Sequence, residues 1–265
     1  GAYLTNDGGR SYNQINFANG SNCFAYDPND SATIYIGSIG LNKSNDGGKT
    51  WEQIFPKKND IESEKFFGDH AEYEIKTNDS SLYVNEVGKI ETIRVDPVTP
   101  NSLYFTMGSY FFYSSDAGQS WERENLDQKI EYLYTNKTGA KNEVYIFSAE
   151  AIFIFDKTSH KISKRDIPQA MFPATSFTAG TLKNTDKPIF YALHHLKAKQ
   201  NAYAFTNSEI WTSEDLGVSW KPSEDITITN EKSGTKPCFT MLLCSENDAA
   251  NAYVVTNQYE EKTGA

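Results

Sequence analysis

The densest set of ionisable side chains outside any repeat is Asp69-His70-Ala71-Glu72, flanked by Phe66, Phe67 and Tyr73. Two carboxylates with an imidazole between them suit general acid and base work. Such a pair hydrolyses a glycosidic bond when its carboxyl groups stand about 5–10 Å apart across it, and aromatic rings offer broad apolar faces on which a sugar stacks. Asp69, Glu72 and His70 are therefore the catalytic candidates, with Phe66, Phe67 and Tyr73 as substrate-binding ones. The plainer alternative for each is a polar surface loop. His194 and Tyr203 extend the substrate-binding set, the first just before and the second within a connection at 195–207 that also carries Lys197, Lys199 and Gln200. His194 and His195 alternate across a strand, so they do not make a metal centre between them, and no metal is expected. There is no phosphate loop, Cys-x-x-Cys pair, Gly-x-Ser-x-Gly elbow or dinucleotide fingerprint, and no cofactor is expected.

Such side chains need a rigid frame, and the chain announces one by repetition. Ser44-Asn45-Asp46-Gly47-Gly48-Lys49-Thr50-Trp51 recurs in altered form at Ser114–Trp121 and Ser213–Trp220 as S-x-D-x-G-x-[ST]-W, and at Thr5–Tyr12 with Thr and Tyr substituted. The Ser or Thr and the Asp can bond nearby backbone N–H groups, and the Gly supplies a positive φ. The aromatic then lies back over the turn from the next strand. Asp7, Asp46, Trp51, Asp116, Trp121, Asp215 and Trp220 are accordingly structural residues of hairpin turns.

A second repeat precedes two of the octets. Asp27-Pro28 leads to Tyr35, and Asp96-Pro97 leads to Tyr104, with 19 residues from Asp27 to Asp46 and 20 from Asp96 to Asp116. Two signals in step define one unit of four short strands, a to d, with Pro closing strand a and the octet joining c to d. Units are expected at 22–54, 90–124, 130–167 and 177–223, the third with a degenerate turn at Asp156–His160. Residues 2–15 supply strands c and d alone, and residues 239–260 supply a and b alone.

The octets resemble the Asp-box (BNR) repeats of sialidases, xyloglucan-active glycoside hydrolases, sortilin-type receptors and some assembly factors. The resemblance implies an all-β chain, a β-propeller of four-stranded antiparallel blades, with the Asp boxes at the blade periphery. It has five blades if the termini close the ring, or it is a fragment of a larger propeller. One propeller domain over 1–265 is expected, with 55–89 as a long inserted loop or hairpin on the channel face. That insertion should pair Ala71–Thr77 with Ser81–Val87. Sialidase specificity is disfavoured: there is no Arg-Ile-Pro segment, Arg10 lies in an Asp box and Arg94 in a strand a. Similarity to the xyloglucan-active enzymes is closer, through Asp96-Pro97-Val98-Thr99-Pro100 with its downstream octet and through Gly1-Ala2-Tyr3. It implies a glycoside hydrolase-like propeller binding an oligosaccharide, and the alternative is a non-catalytic carbohydrate-binding, protein-binding or assembly propeller.

Composition narrows the partners. The chain has 265 residues and a formal net charge of −10, which argues against nucleic acid. No apolar run is long enough to span a membrane. The three cysteines are too few for a disulfide scaffold; Cys238 and Cys244 could pair, and buried thiols are the simpler reading. The expectation is a monomer acting on an oligo- or polysaccharide, secreted or periplasmic, with no signal segment in the sequence.

Overall fold

A computed structural model describes residues 2–17, 20–67, 72–78, 87–136, 142–197, 205–223 and 238–257. It divides into two compact units, Gly1–Ile130 and Glu131–Ala265. Apart from two single-turn 3-10 segments, Lys58–Asp60 and Gln169–Met171, every described element is a strand.

In the first unit β1 (Ala2–Leu4) pairs with β2 (Asn13–Ile15). The next blade runs β3 (Cys23–Asp27), β4 (Asp30–Ser38), β5 (Gly40–Ser44) and β6 (Glu52–Phe55), each antiparallel to the next. A hairpin of β7 (Ile61–Phe67) and β8 (Glu72–Thr77) follows. A second blade is built from β9 (Thr92–Val95), β10 (Leu103–Met107), β11 (Tyr110–Ser114) and β12 (Glu122–Asn125). The second unit holds β13 (Ile130–Thr135), β14 (Glu143–Ser148), β15 (Ala151–Asp156) and β16 (Ile162–Asp166) in one sheet. Another contains β17 (Ala174–Thr181), β18 (Pro188–Lys197), β19 (Phe205–Ser213) and β20 (Lys221–Pro222), and β21 (Cys238–Ser245) pairs with β22 (Asp248–Asn257). Among the described residues, four sheets are thus complete blades, at the positions the repeats mark.

The strand sequences explain their layer. β10, β14 and β15 are apolar nearly throughout and buried on both faces, as blades stacked face to face require. The outermost β12, Glu-Arg-Glu-Asn, is mostly exposed, and its charges discourage further edge pairing. Phe55, Phe105, Phe112 and Trp121 form one aromatic core in the first unit. Phe105 and Phe112 stack at 4.5 Å and Phe55 meets both edge-on. In the second unit Tyr145, Phe147 and Phe190 do the same work, with Phe147 and Phe190 edge-on at 5.1 Å. Each fully buried ring contributes roughly 1.5–3 kcal/mol by leaving water.

The octets are hydrogen-bonded turns. Asp46 Oδ1 accepts from Ser44 Oγ at 2.8 Å, Lys49 N at 3.0 Å and Thr50 N at 2.9 Å, while Oδ2 accepts from Thr50 Oγ1 at 2.6 Å. Asp7, Asp116 and Asp215 repeat the set with Ser11, Ser120 and Ser219. The fourth and fifth octet positions both adopt positive φ. The fourth holds Gly8, Gly47, Ala117 and Leu216 at 71°, 70°, 60° and 63°; the fifth is glycine each time, between 80° and 87°. Dihedral angle alone does not separate the two positions, but space does. A Cβ on Gly47 would meet nothing, whereas one on Gly48 would stand 2.8 Å from Leu4 Cδ2, and one on Gly118 2.6 Å from Ile54 Cδ1 of the preceding blade.

The Asp-Pro repeat is a second turn lock. Buried Asp96 accepts from Val98 N and Thr99 N at 2.9 Å and from the Tyr104 hydroxyl at 2.9 Å. The degenerate third turn keeps part of the device, with Asp156 accepting from Ser159 N at 2.7 Å and His160 at a φ of 56°.

One expectation needs correction and another an addition. β8 is present where Ala71–Thr77 places it and has a ladder partner the sequence did not mark, β7, with Phe66 opposite Tyr73 and Phe67 opposite Glu72; the expected partner Ser81–Val87 lies outside the described residues except at Val87. Val87 N still donates to Ile75 O at 3.1 Å, so the far side of β8 is also engaged. The glutamates of Ile61–Phe67 hide a strand whose face is settled only by its partner. The connection 195–207 is also shorter than expected, because β18 continues to Lys197 and pairs it with Phe205.

Candidate functional site

β6 leads away from its octet, and the β7–β8 hairpin therefore stands at the opposite end of the blade strands. Its two faces differ. Glu64, Phe66, Tyr73 and Ile75 share one by ladder register; Lys65, Phe67 and Glu74 share the other. Ile75 is fully buried, and Tyr73 packs on the same core. This anchors the base of the hairpin and leaves its end in solvent, with Phe66 60% and Phe67 42% exposed.

The Phe66 and Tyr73 rings lie 4.9 Å apart at 49°. Burial, then the negative charge of Glu64 and the hydrogen bond it accepts, push the Tyr73 phenol up to about 12. Tyr73 is thus a fixed, protonated donor beside an exposed ring. Glu74 is held by Lys76 at 3.4 Å. The arrangement can stack an apolar ring face on Phe66 and hydrogen-bond its rim.

Of the sequence candidates, Phe66 and Tyr73 come together on one face of the hairpin, while Phe67 points to the other, with Glu72 opposite it in the ladder. Asp69, His70 and Tyr203 lie outside the described residues. His194 belongs to the second unit, on β18; it is 6% exposed and its Nδ1 lies 3.2 Å from Pro173 O, a joint between the strand and the Phe172–Pro173 segment. Sequence reasoning passed over two carboxylates. Glu64 could have been found from its i, i+2 relation to Phe66. Glu91, at the start of β9, has no such signal, and its buried Oε2 lacks a hydrogen-bond partner. Among the described residues no three His, Cys, Asp or Glu side chains gather as metal ligands. Cys23 and Cys244 are reduced thiols. No described helix is long and apolar enough to cross a membrane.

The turn geometry and blade order define the class: the fold is a β-propeller of four-stranded blades joined by Asp-box-like turns. The sequence model of the BNR/Asp-box repeat family matches residues 112–123, from β11 through the third octet into β12. An ancestral GH74 enzyme superposes over 99% of this chain and 32% of its own with a TM-score of 0.63 at 17% identity. The GH74 xyloglucanase from Xanthomonas campestris does so over 90% of this chain and 35% of its own, with a TM-score of 0.58 at 16% identity. At these identities the likeness is one of fold, and the chain spans about a third of the length of both structures. No curated protein matches the sequence.

Proposed function

We propose that the chain is a secreted or periplasmic glycan-active propeller of glycoside hydrolase type, binding an oligosaccharide on the β7–β8 hairpin. The observation that carries this is exposed Phe66 beside the fixed Tyr73 phenol, with Phe67 exposed on the other face, at the end of the blades away from the octets. The GH74 likeness in fold supports it. Phe66 stacks on one sugar face beside Tyr73, Phe67 offers a second ring on the other side of the hairpin, Asp69 and Glu72 act as acid and base or nucleophile, and His70 assists proton transfer. Glu64 orients Tyr73 and takes no part in bond cleavage.

The second reading is a propeller that binds glycan or protein without chemistry. It is favoured by the engagement of Glu64 with Tyr73 and of Glu74 with Lys76, which leaves few carboxylates on the hairpin for catalysis. Release of reducing ends from a panel of plant and host glycans tests the enzyme. Asp69→Asn should lower the rate by at least about a hundredfold, and Phe66→Ala should weaken binding with the rate at saturation largely kept. Glycan binding without turnover in the wild type would select the second reading; loss of neither binding nor turnover in both variants would remove the hairpin from consideration.

A further inference from the structure

We infer a second ligand site at the octet end of the first unit, for a neutral oligosaccharide. A groove of about 450 Å³ lies between β2 and the second octet, a size usual for small-ligand sites. Its lining carries Asn6, Asn13, Gln14 and Asn16, all with carboxamides, together with Lys49 and Trp51. Carboxamides present a donor and an acceptor together and are neutral at every working pH, which matches adjacent sugar hydroxyls. Among the described residues no carboxylate lines the groove, although the chain carries a net charge of −10, so it is not built for a cation. One lysine is too little for a polyanion.

The turn itself does not demand this composition. The residues that follow the other octets are Glu52-Gln53, Glu122-Arg123 and Lys221-Pro222, whereas Asn13-Gln14 follows the first. The groove is also held in shape before any ligand arrives. Trp51 Nε1 donates to Gly48 O at 3.0 Å, and Phe17 meets the indole edge-on at 5.1 Å. Asp46 fixes the Lys49 backbone at 3.0 Å, and Gln14 Nε2 donates to Asn16 Oδ1 at 3.0 Å. A preformed wall lowers the ordering cost of binding. The site stands at the other end of the strands from the hairpin and shares no lining residue with it.

Calorimetric titration with cellohexaose, mannohexaose and hexagalacturonate tests this. One of the neutral hexasaccharides should bind. The double variant Asn13→Ala/Gln14→Ala, at two exposed positions, should weaken that binding at least about tenfold while thermal unfolding stays in place. Phe66→Ala should leave it unchanged. The inference is overturned if neither neutral hexasaccharide binds, if hexagalacturonate binds more tightly, or if the double variant binds as the wild type does. Loss of binding in Phe66→Ala alone would also overturn it, by assigning the event to the hairpin.

Discussion

Replacing Gly118 by alanine should cost far more than the same change at Gly47, although both residues sit at positive φ in equivalent turns. At Gly47, φ is 70° and an added Cβ meets nothing within 4 Å, so only the backbone matters. An alanine held in the left-handed region costs roughly 1–2 kcal/mol, and the stiffer unfolded chain offsets about 0.4–1 of that. The net loss is about 1 kcal/mol. Gly118 has the same backbone term at 87°, and its Cβ would also stand 2.6 Å from Ile54 Cδ1 and 3.3 Å from Trp121 Cζ2. Overpacking of that kind adds roughly 1–3 kcal/mol, for a total of about 2–4. Thermal midpoints should then fall by about 3 °C for Gly47→Ala and about 10 °C for Gly118→Ala. Adding Ile54→Val, which deletes the clashing methyl, should recover part of the Gly118→Ala loss even though it costs about 0.5–1.5 kcal/mol alone. Paired urea and thermal melts of the four variants supply the cycle. Losses at Gly47 and Gly118 that agree within about 0.5 kcal/mol, with no coupling to Ile54, would refute the argument that the neighbouring blade enforces the fifth-position glycine.

Three further outcomes are expected. The Asp7 carboxyl is held at about 2 by the Ser11 hydroxyl and N–H and by Thr5, and Asp46 is lowered in the same way by Thr50 and Ser44. Their folded values lie below the unfolded one near ~3.9, so the stability they contribute is complete above that pH and is lost as pH falls through the folded values. Urea midpoints should drop steeply below about pH 4, and Asp7→Asn with Asp46→Asn should flatten that drop. Burial pushes the Cys23 thiol up to about 12, so alkylation at roughly pH 8, read by mass spectrometry, should be slow in the native protein and fast in urea. Glu64→Gln should lower the Tyr73 titration, followed by Cζ chemical shift, but leave it above the usual value of about 10 because burial remains. A fall to the ordinary value would show that Glu64, and not burial, dominates.

The blades were legible because their determinants are local. Eight residues contain the side-chain donors and acceptors of an octet, and nine more, Asp96 to Tyr104, contain the second lock. Strand ends therefore fall within a few residues of the repeat boundaries. The hairpin was not legible in the same way. Ile61–Phe67 alternates poorly, has a register shift between Ile61 and Ser63, and acquires its faces only from β8. The candidate site was legible in its aromatics and not in its supports: Glu64 reads as one more surface glutamate until Tyr73 is placed beside it. His194 looked available because nothing in the sequence shows Pro173 O, 21 residues upstream, closing over its ring.

The tryptophans yield intrinsic reporters. Trp51, half-exposed, donates its indole N–H to Gly48 O, whereas Trp121 and Trp220 are buried with indole N–H groups that have no acceptor. Trp121 belongs to the first unit and Trp220 to the second. Single-tryptophan forms would thus emit at short wavelength from one unit at a time, and fluorine-labelled indoles would give separate resonances for the two. Fluorescence can follow whether the halves of the chain melt together or in succession, with no dye attached.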